Sequence, residues 1–167
     1  MTDTSSTKDV VIERTFDARV DLVWRLWTEP EHFRSWYGPG DGVTIVVAEM
    51  DVRVGGARRV CMEMERPGGP MRMWFTGEHR EVVVNELLVY TDAMCDEHGN
   101  VLSPEDMGMP AGHPTTTEVR VELQEIDRRT KMVLTHVGVP LDSPGGAGWT
   151  TALDTLAGYA AAQRPGH

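Results

Sequence analysis

Two histidines stand at positions where an imidazole could do chemistry. His79 follows Met71, Met73, Phe75 and Gly77 at every second position, and His136 follows Met132 and Leu134 in the same way. In a strand this spacing places each imidazole on the same face as its apolar neighbours. An imidazole in an apolar wall can carry a proton near neutral pH or orient a polar group of a ligand. The competing reading of each is a core histidine held by a backbone carbonyl or a neighbouring acid. A metal would need a third ligand from the same face, and none is evident, so neither a metal nor a cofactor is expected.

The other candidates are mostly apolar. Met62, Met64, Met71, Met73 and Met132 fall on the inferred inner faces, with Phe75 beside Met73. Methionine is unbranched and polarisable, so such a wall can repack around ligands of several shapes or simply fill gaps in a core. Tyr90 is a third polar group that could orient a ligand. Trp149 and Leu153 share the stripe of a C-terminal helix, and Trp149 could close one end of a cavity. Trp36 and Tyr37 are candidates for its rim. Asp92 and Glu49 are carboxylates whose face the alternation leaves open. Cys61 alternates onto an acidic face with Glu63 and Glu65, with no His or Lys evident to lower its pKa. No phosphate loop, nucleophile elbow, metalloprotease helix or cysteine pair occurs, so no catalytic residue is assigned.

The elements that must position these residues follow from hydrophobic period. "DVVIERTF" alternates as a half-buried strand. In "DARVDLVWRLWT" the period becomes helical, with Asp17 as the expected N-cap. "EPEHFRSW" predicts a second short helix with Pro30 near its first position, Trp27, Phe33 and Trp36 buried, and Glu31, His32 and Arg34 solvated. About six strands follow: "VTIVVAEM", then a run after the Gly55-Gly56 bend, then strands punctuated by "PGGP", "EHGN" and "RRT". The aperiodic, proline-containing segment 101–114 is expected to be a long loop and a candidate lid. A long helix beginning near Ser143-Pro144 carries Trp149, Leu153, Leu156 and Ala160 on one stripe. The expected organisation is a tail at 1–8, one domain over 9–163 and a tail at 164–167. An antiparallel sheet of this kind needs a cover for its apolar face, and one long helix gripped by a curved sheet leaves a hollow.

Composition removes whole classes of function. A formal net charge of −10 argues against nucleic acid and against anionic membrane surfaces. Two cysteines without metal spacing, no apolar run of membrane-spanning length and a polar N-terminus point to a cytoplasmic protein.

The segments "DLVWRLWTEPEHFRSWYGP", "DVRVGGARR", "MWFTGEHREV" with "ELLVYT", "EDMGMPAGHP" and "THVGVP…GWTTALDTLAGY" resemble, in order and spacing, the SRPBCC or START-like superfamily. Within it the chain resembles the family named after the activator of the heat-shock protein 90 ATPase, from about Val10 to Ala162. Arg19 and "VNELL" depart from the family's usual prolines, and both lie at connections. The resemblance implies an α+β helix-grip fold like that of the birch-pollen allergen. A curved antiparallel sheet would surround the C-terminal helix, with a cavity between them. Relatives include lipid carriers, polyketide cyclases, hormone receptors and a co-chaperone domain, so fold alone does not select a function.

Three functions are therefore expected in order. The first is a binding protein, a monomer or homodimer, that takes a small apolar or amphipathic ligand; its site would be Trp36, Tyr37, Met62, Met64, Met73, Phe75, His79, Tyr90, His136, Trp149 and Leu153. The second is a cyclase- or hydrolase-like enzyme using a cavity histidine. The third is a protein-interaction domain that stimulates a chaperone ATPase.

Overall fold

The computed structural model describes residues 9–37, 43–103, 105–106, 116–137 and 144–162. In chain order these form β1 (Val10–Phe16), α1 (Val20–Thr28), α2 (Pro30–Trp36), β2 (Val43–Met50), β3 (Ala57–Met64), β4 (Met71–Val83), β5 (Leu87–Cys95), β6 (Thr116–Ile126), β7 (Arg129–Val137) and α3 (Pro144–Ala162). Both expected tails, Ser143 and most of the 101–114 segment, including Met107 and Met109, lie outside the described residues.

The seven strands make one curled antiparallel sheet in the order β1-β7-β6-β5-β4-β3-β2. From β2 to β7 each strand pairs with the next along the chain, and β1 joins the far edge beside β7. The clearest alternation is in β7, where Thr130, Met132, Leu134 and His136 are buried and the residues between them are not. Val60, Met62, Leu88, Tyr90, Val119, Val121, Met132 and Leu134 belong to one core with residues from all three helices. This is the helix-grip architecture. No helix among the described residues is long and apolar enough to cross a membrane.

The first helix starts differently from the expectation. Its N-cap position is Arg19, which makes no side-chain cap. Glu125, at the end of β6, instead accepts the Val20 N–H at 3.1 Å and lies 3.4 Å from Arg19 Nη2. A carboxylate brought by the sheet thus satisfies a free helix-start N–H, which Asp17 was expected to do locally. The apolar stripe of α1 is as expected, with Leu22, Val23, Leu26 and Trp27 buried.

Pro30 opens α2, and Phe33 and Trp36 face inward. The Trp36 indole N–H donates to the Leu26 carbonyl at 2.7 Å, which ties α2 to α1. His32 is half-buried rather than solvated, and the exposed Arg34 also reaches the sheet. His32 Nδ1 lies 2.9 Å from the Tyr159 hydroxyl of α3, and Arg34 donates to the Ile45 carbonyl of β2 at 3.2 Å. The flanks of α2 meet a helix on one side and a strand on the other; His32 is half-buried, while Glu31 and Arg34 are exposed as expected.

Along α3, Trp149, Leu153, Leu156 and Ala160 are buried, the stripe expected from their spacing. Each leucine withdrawn from water contributes roughly 1.5–3 kcal/mol, enough to seat a helix rich in Gly and Ala. Arg14 of β1 and Asp154 of α3 are 2.9 Å apart and pin the helix against that edge of the sheet.

Candidate functional site

Cross-strand pairing arranges the inner face in rows. One row runs His79, Tyr90, Val119, His136 and Val10 across β4, β5, β6, β7 and β1. His79 and His136 therefore lie three strand spacings apart, about 14 Å at the usual 4.8 Å per strand. They are on one face but do not form one site. Among the described residues, no group of three His, Cys, Asp or Glu side chains gathers as it would around a metal.

Each imidazole is committed to its surroundings. The His79 N–H of the backbone and the ring Nδ1–H both point at the Gly56 carbonyl, at 2.9 and 3.1 Å. The Gly55 N–H returns a bond to the His79 carbonyl at 2.8 Å, so the histidine clamps the Gly55-Gly56 turn to β4. Burial holds the His79 pKa below its ordinary value, against the hydrogen bond to Gly56.

His136 belongs to a chain of donors with one consistent direction. The Trp149 indole N–H donates to Nδ1 at 2.9 Å, which makes Nδ1 the acceptor nitrogen. Nε2–H then faces Thr117 Oγ1 at 2.7 Å, and that hydroxyl donates to the Asp92 carbonyl at 3.2 Å. Burial, helped by the Arg58 charge, pushes the His136 pKa down to about 4. At neutral pH this is an uncharged ring with both nitrogens occupied. Replacing Thr117 with Val should remove the Nε2–H acceptor and cost about 1–3 kcal/mol in urea unfolding, with Thr117→Ser recovering most of it.

The next row holds the charges. It comprises Arg58 of β3, Gly77 of β4, Asp92 of β5 and Thr117 of β6. Arg58 pairs with Gly77, and Asp92 pairs with Thr117. Gly77 lies between the Thr76–Ala93 and His79–Tyr90 pairs, abreast of Thr91 and Asp92. With no side chain on the strand between them, Arg58 and Asp92 reach across it. Arg58 Nη1 is 3.5 Å from Asp92 Oδ1.

The Arg58 guanidinium sits 4.0 Å from the centroid of the Tyr90 ring and 5.1 Å from that of Phe33, as a cation on aromatic faces. Tyr37, at the end of α2, stacks on Phe33 at 4.4 Å and meets Trp149 edge-on at 5.8 Å. Burial pushes the Asp92 carboxyl up to about 6 against the pull of Arg58. Burial also pushes the Tyr90 phenol up to about 12, and raises Tyr37 further, with the Asp92 charge next in importance. Both phenols are therefore protonated donors around one ion pair. Two buried side-chain polar atoms among the described residues have no hydrogen-bond partner, Asp92 Oδ1 and Trp27 Nε1. The Trp27 ring lies 5.9 Å from that of Trp149.

An apolar wall continues from this row. Val60 pairs with Phe75 and Phe75 with Met94; one step further, Met62 pairs with Met73 and then Met64 with Met71. Met62 is buried, while Met64, Met73 and Phe75 are half-buried, so part of this wall is uncovered. Trp36 and Leu153 are sealed inside the core, and Tyr37 and Trp149 border the polar row. On the opposite face of β3, Cys61 pairs with Trp74 and is also buried, its thiol pKa raised by that burial.

Arg58 is the residue that sequence reasoning missed. The signal was present: alternation of Val60, Met62 and Met64 extended back two positions puts Arg58 on the inner face. Asp92 proves to face inward, and Glu49 is exposed.

Residues 17–161 match the family model described as Activator of Hsp90 ATPase homolog 1-like protein. Among solved structures, a protein from Nitrosomonas europaea is similar at 24% identity, with 98% of this chain and 100% of that chain covered and a TM-score of 0.72. A protein from Chromobacterium violaceum is similar at 24% identity over 95% of this chain and 99% of that one, with a TM-score of 0.71. One from Staphylococcus epidermidis, at 18% identity, covers 100% of this chain and 98% of its own with a TM-score of 0.75. At these identities the likeness is one of fold. Among curated proteins, no sequence matches the chain.

Proposed function

The chain belongs to the family of Activator of Hsp90 ATPase homolog 1-like proteins, and from that premise we propose that it binds a small, largely apolar molecule against the inner face of β3, β4 and β5. One observation carries this reading: a half-uncovered wall of Met64, Met73 and Phe75 runs into a buried polar row whose carboxylate, 3.5 Å from Arg58, has an oxygen with no hydrogen bond among the described residues. Small-molecule sites are typically apolar with a few placed polar groups. A buried polar atom without a hydrogen bond inside the protein can take a partner from outside it, whether water or a ligand. The wall would hold the apolar body, and Arg58, Asp92, Tyr37 and Tyr90 would orient its polar end.

The acid–base reading draws less support from the described residues, because both nitrogens of His136 are engaged and His79 holds a backbone turn. Nothing in the described surface singles out a chaperone contact.

Titration with a hydrophobic fluorescent dye tests the binding reading. Saturable one-to-one uptake is expected, with Met73→Ala plus Phe75→Ala weakening it about tenfold or more through lost apolar contact. Absence of saturable uptake, together with a crystal structure in which side chains fill the space over the wall, would overturn it.

A further inference from the structure

We infer that the polar end of this site selects an uncharged head group that both accepts and donates hydrogen bonds, such as a carboxamide or hydroxyl, over a carboxylate. This rests on the binding reading above and names the chemistry of its ligand.

A buried arginine by itself would suggest an anion receptor. Here the cation is already matched. Asp92 stands 3.5 Å from Arg58, and among the described residues Arg58 is the one charge that acts on that carboxyl. His79 and His136 stay neutral, held below their ordinary pKa by burial, and both phenols stay protonated. The row therefore sums to zero charge at neutral pH and above.

Exposure decides which member of the pair a ligand meets. The Asp92 side chain is 14% exposed and that of Arg58 only 4%, with two aromatic rings over the guanidinium. The carboxylate is the outer partner. An incoming anion would bring a second negative charge against it in a largely dry setting, where like charges raise each other's cost of ionisation. A carboxamide has no such conflict. Its oxygen can accept from a phenol, and its N–H can donate toward the partly exposed Asp92 carboxylate.

The test compares naphthalene, 2-naphthamide and 2-naphthoate as ligands of the full chain at pH 8, by calorimetry or tryptophan quenching. The amide should bind about tenfold or more tightly than the carboxylate, because only the carboxylate meets Asp92 as a like charge. Asp92→Asn leaves Arg58 unmatched and should reverse the order, with naphthoate gaining about tenfold or more and naphthamide losing affinity. Wild-type binding of naphthoate as tight as that of naphthamide would overturn the inference on its own, whatever the variant does. Equal binding of all three would overturn it too and leave the apolar site standing. If none binds, naphthalene included, the binding reading itself falls and takes this inference with it.

Discussion

Arg58→Met is expected to cost about 3 kcal/mol at pH 8 and clearly less at pH 5, because it leaves the Asp92 carboxylate buried without its cation. Methionine keeps an unbranched apolar stem that can pack toward Tyr90 and Phe33, so the loss reports mainly the guanidinium and its charge. The pH dependence follows from the direction of the Asp92 shift. Its folded pKa, about 6, lies above the ordinary carboxyl value of 3.8. Between those two values the folded chain holds more protons at this site than the unfolded chain does, so its contribution to stability falls as pH rises from about 4 to about 6 and then levels off. Arg58 is what holds that pKa down against burial. Without it the carboxyl titrates higher, and the fall continues to higher pH. Urea unfolding of wild type and Arg58→Met at pH 5 and pH 8 measures this, and equal losses at both values would show that Asp92 does not titrate against Arg58.

Gly77→Ala should be at least as damaging, for a reason of shape. A Cβ built at position 77 would lie 1.8 Å from the Thr91 carbonyl oxygen and 2.8 Å from its carbon, both main-chain atoms. Neither can rotate away, so β5 must move relative to β4. Glu78 N also donates to Thr91 Oγ1 at 2.9 Å, and that bond would be disturbed by the same movement. The expected loss is about 3 kcal/mol or more, or a broadened unfolding transition. The movement would also separate Asp92 from Arg58, so ligand binding should fall even in the fraction that folds. A cooperative, near-wild-type unfolding curve for Gly77→Ala would contradict this account of the row.

Much of the fold was legible because it depends on local period. The stripe Trp149, Leu153, Leu156, Ala160 and the alternation through His136 each need only a helix or a strand to acquire an inside. The order of short helices, strands and long helix, with the family's spaced segments, then leaves few ways to stack them. What local pattern could not give was any contact made across the sheet. Alternation placed His79 and His136 on one face, but only strand order puts Tyr90 and Val119 between them. The same holds for His32, whose polar side chain suggested water until α3 was brought against it.

The sequence by itself therefore determined the architecture and the apolar character of its inner wall, since burial of a periodic stripe is decided residue by residue. The tertiary structure alone decided the polar row. Arg58 and Asp92 are 34 positions apart and meet across Gly77 of the intervening strand, which strand order alone places between them. A pairing made across a third strand leaves no periodic trace in either of the strands that carry it.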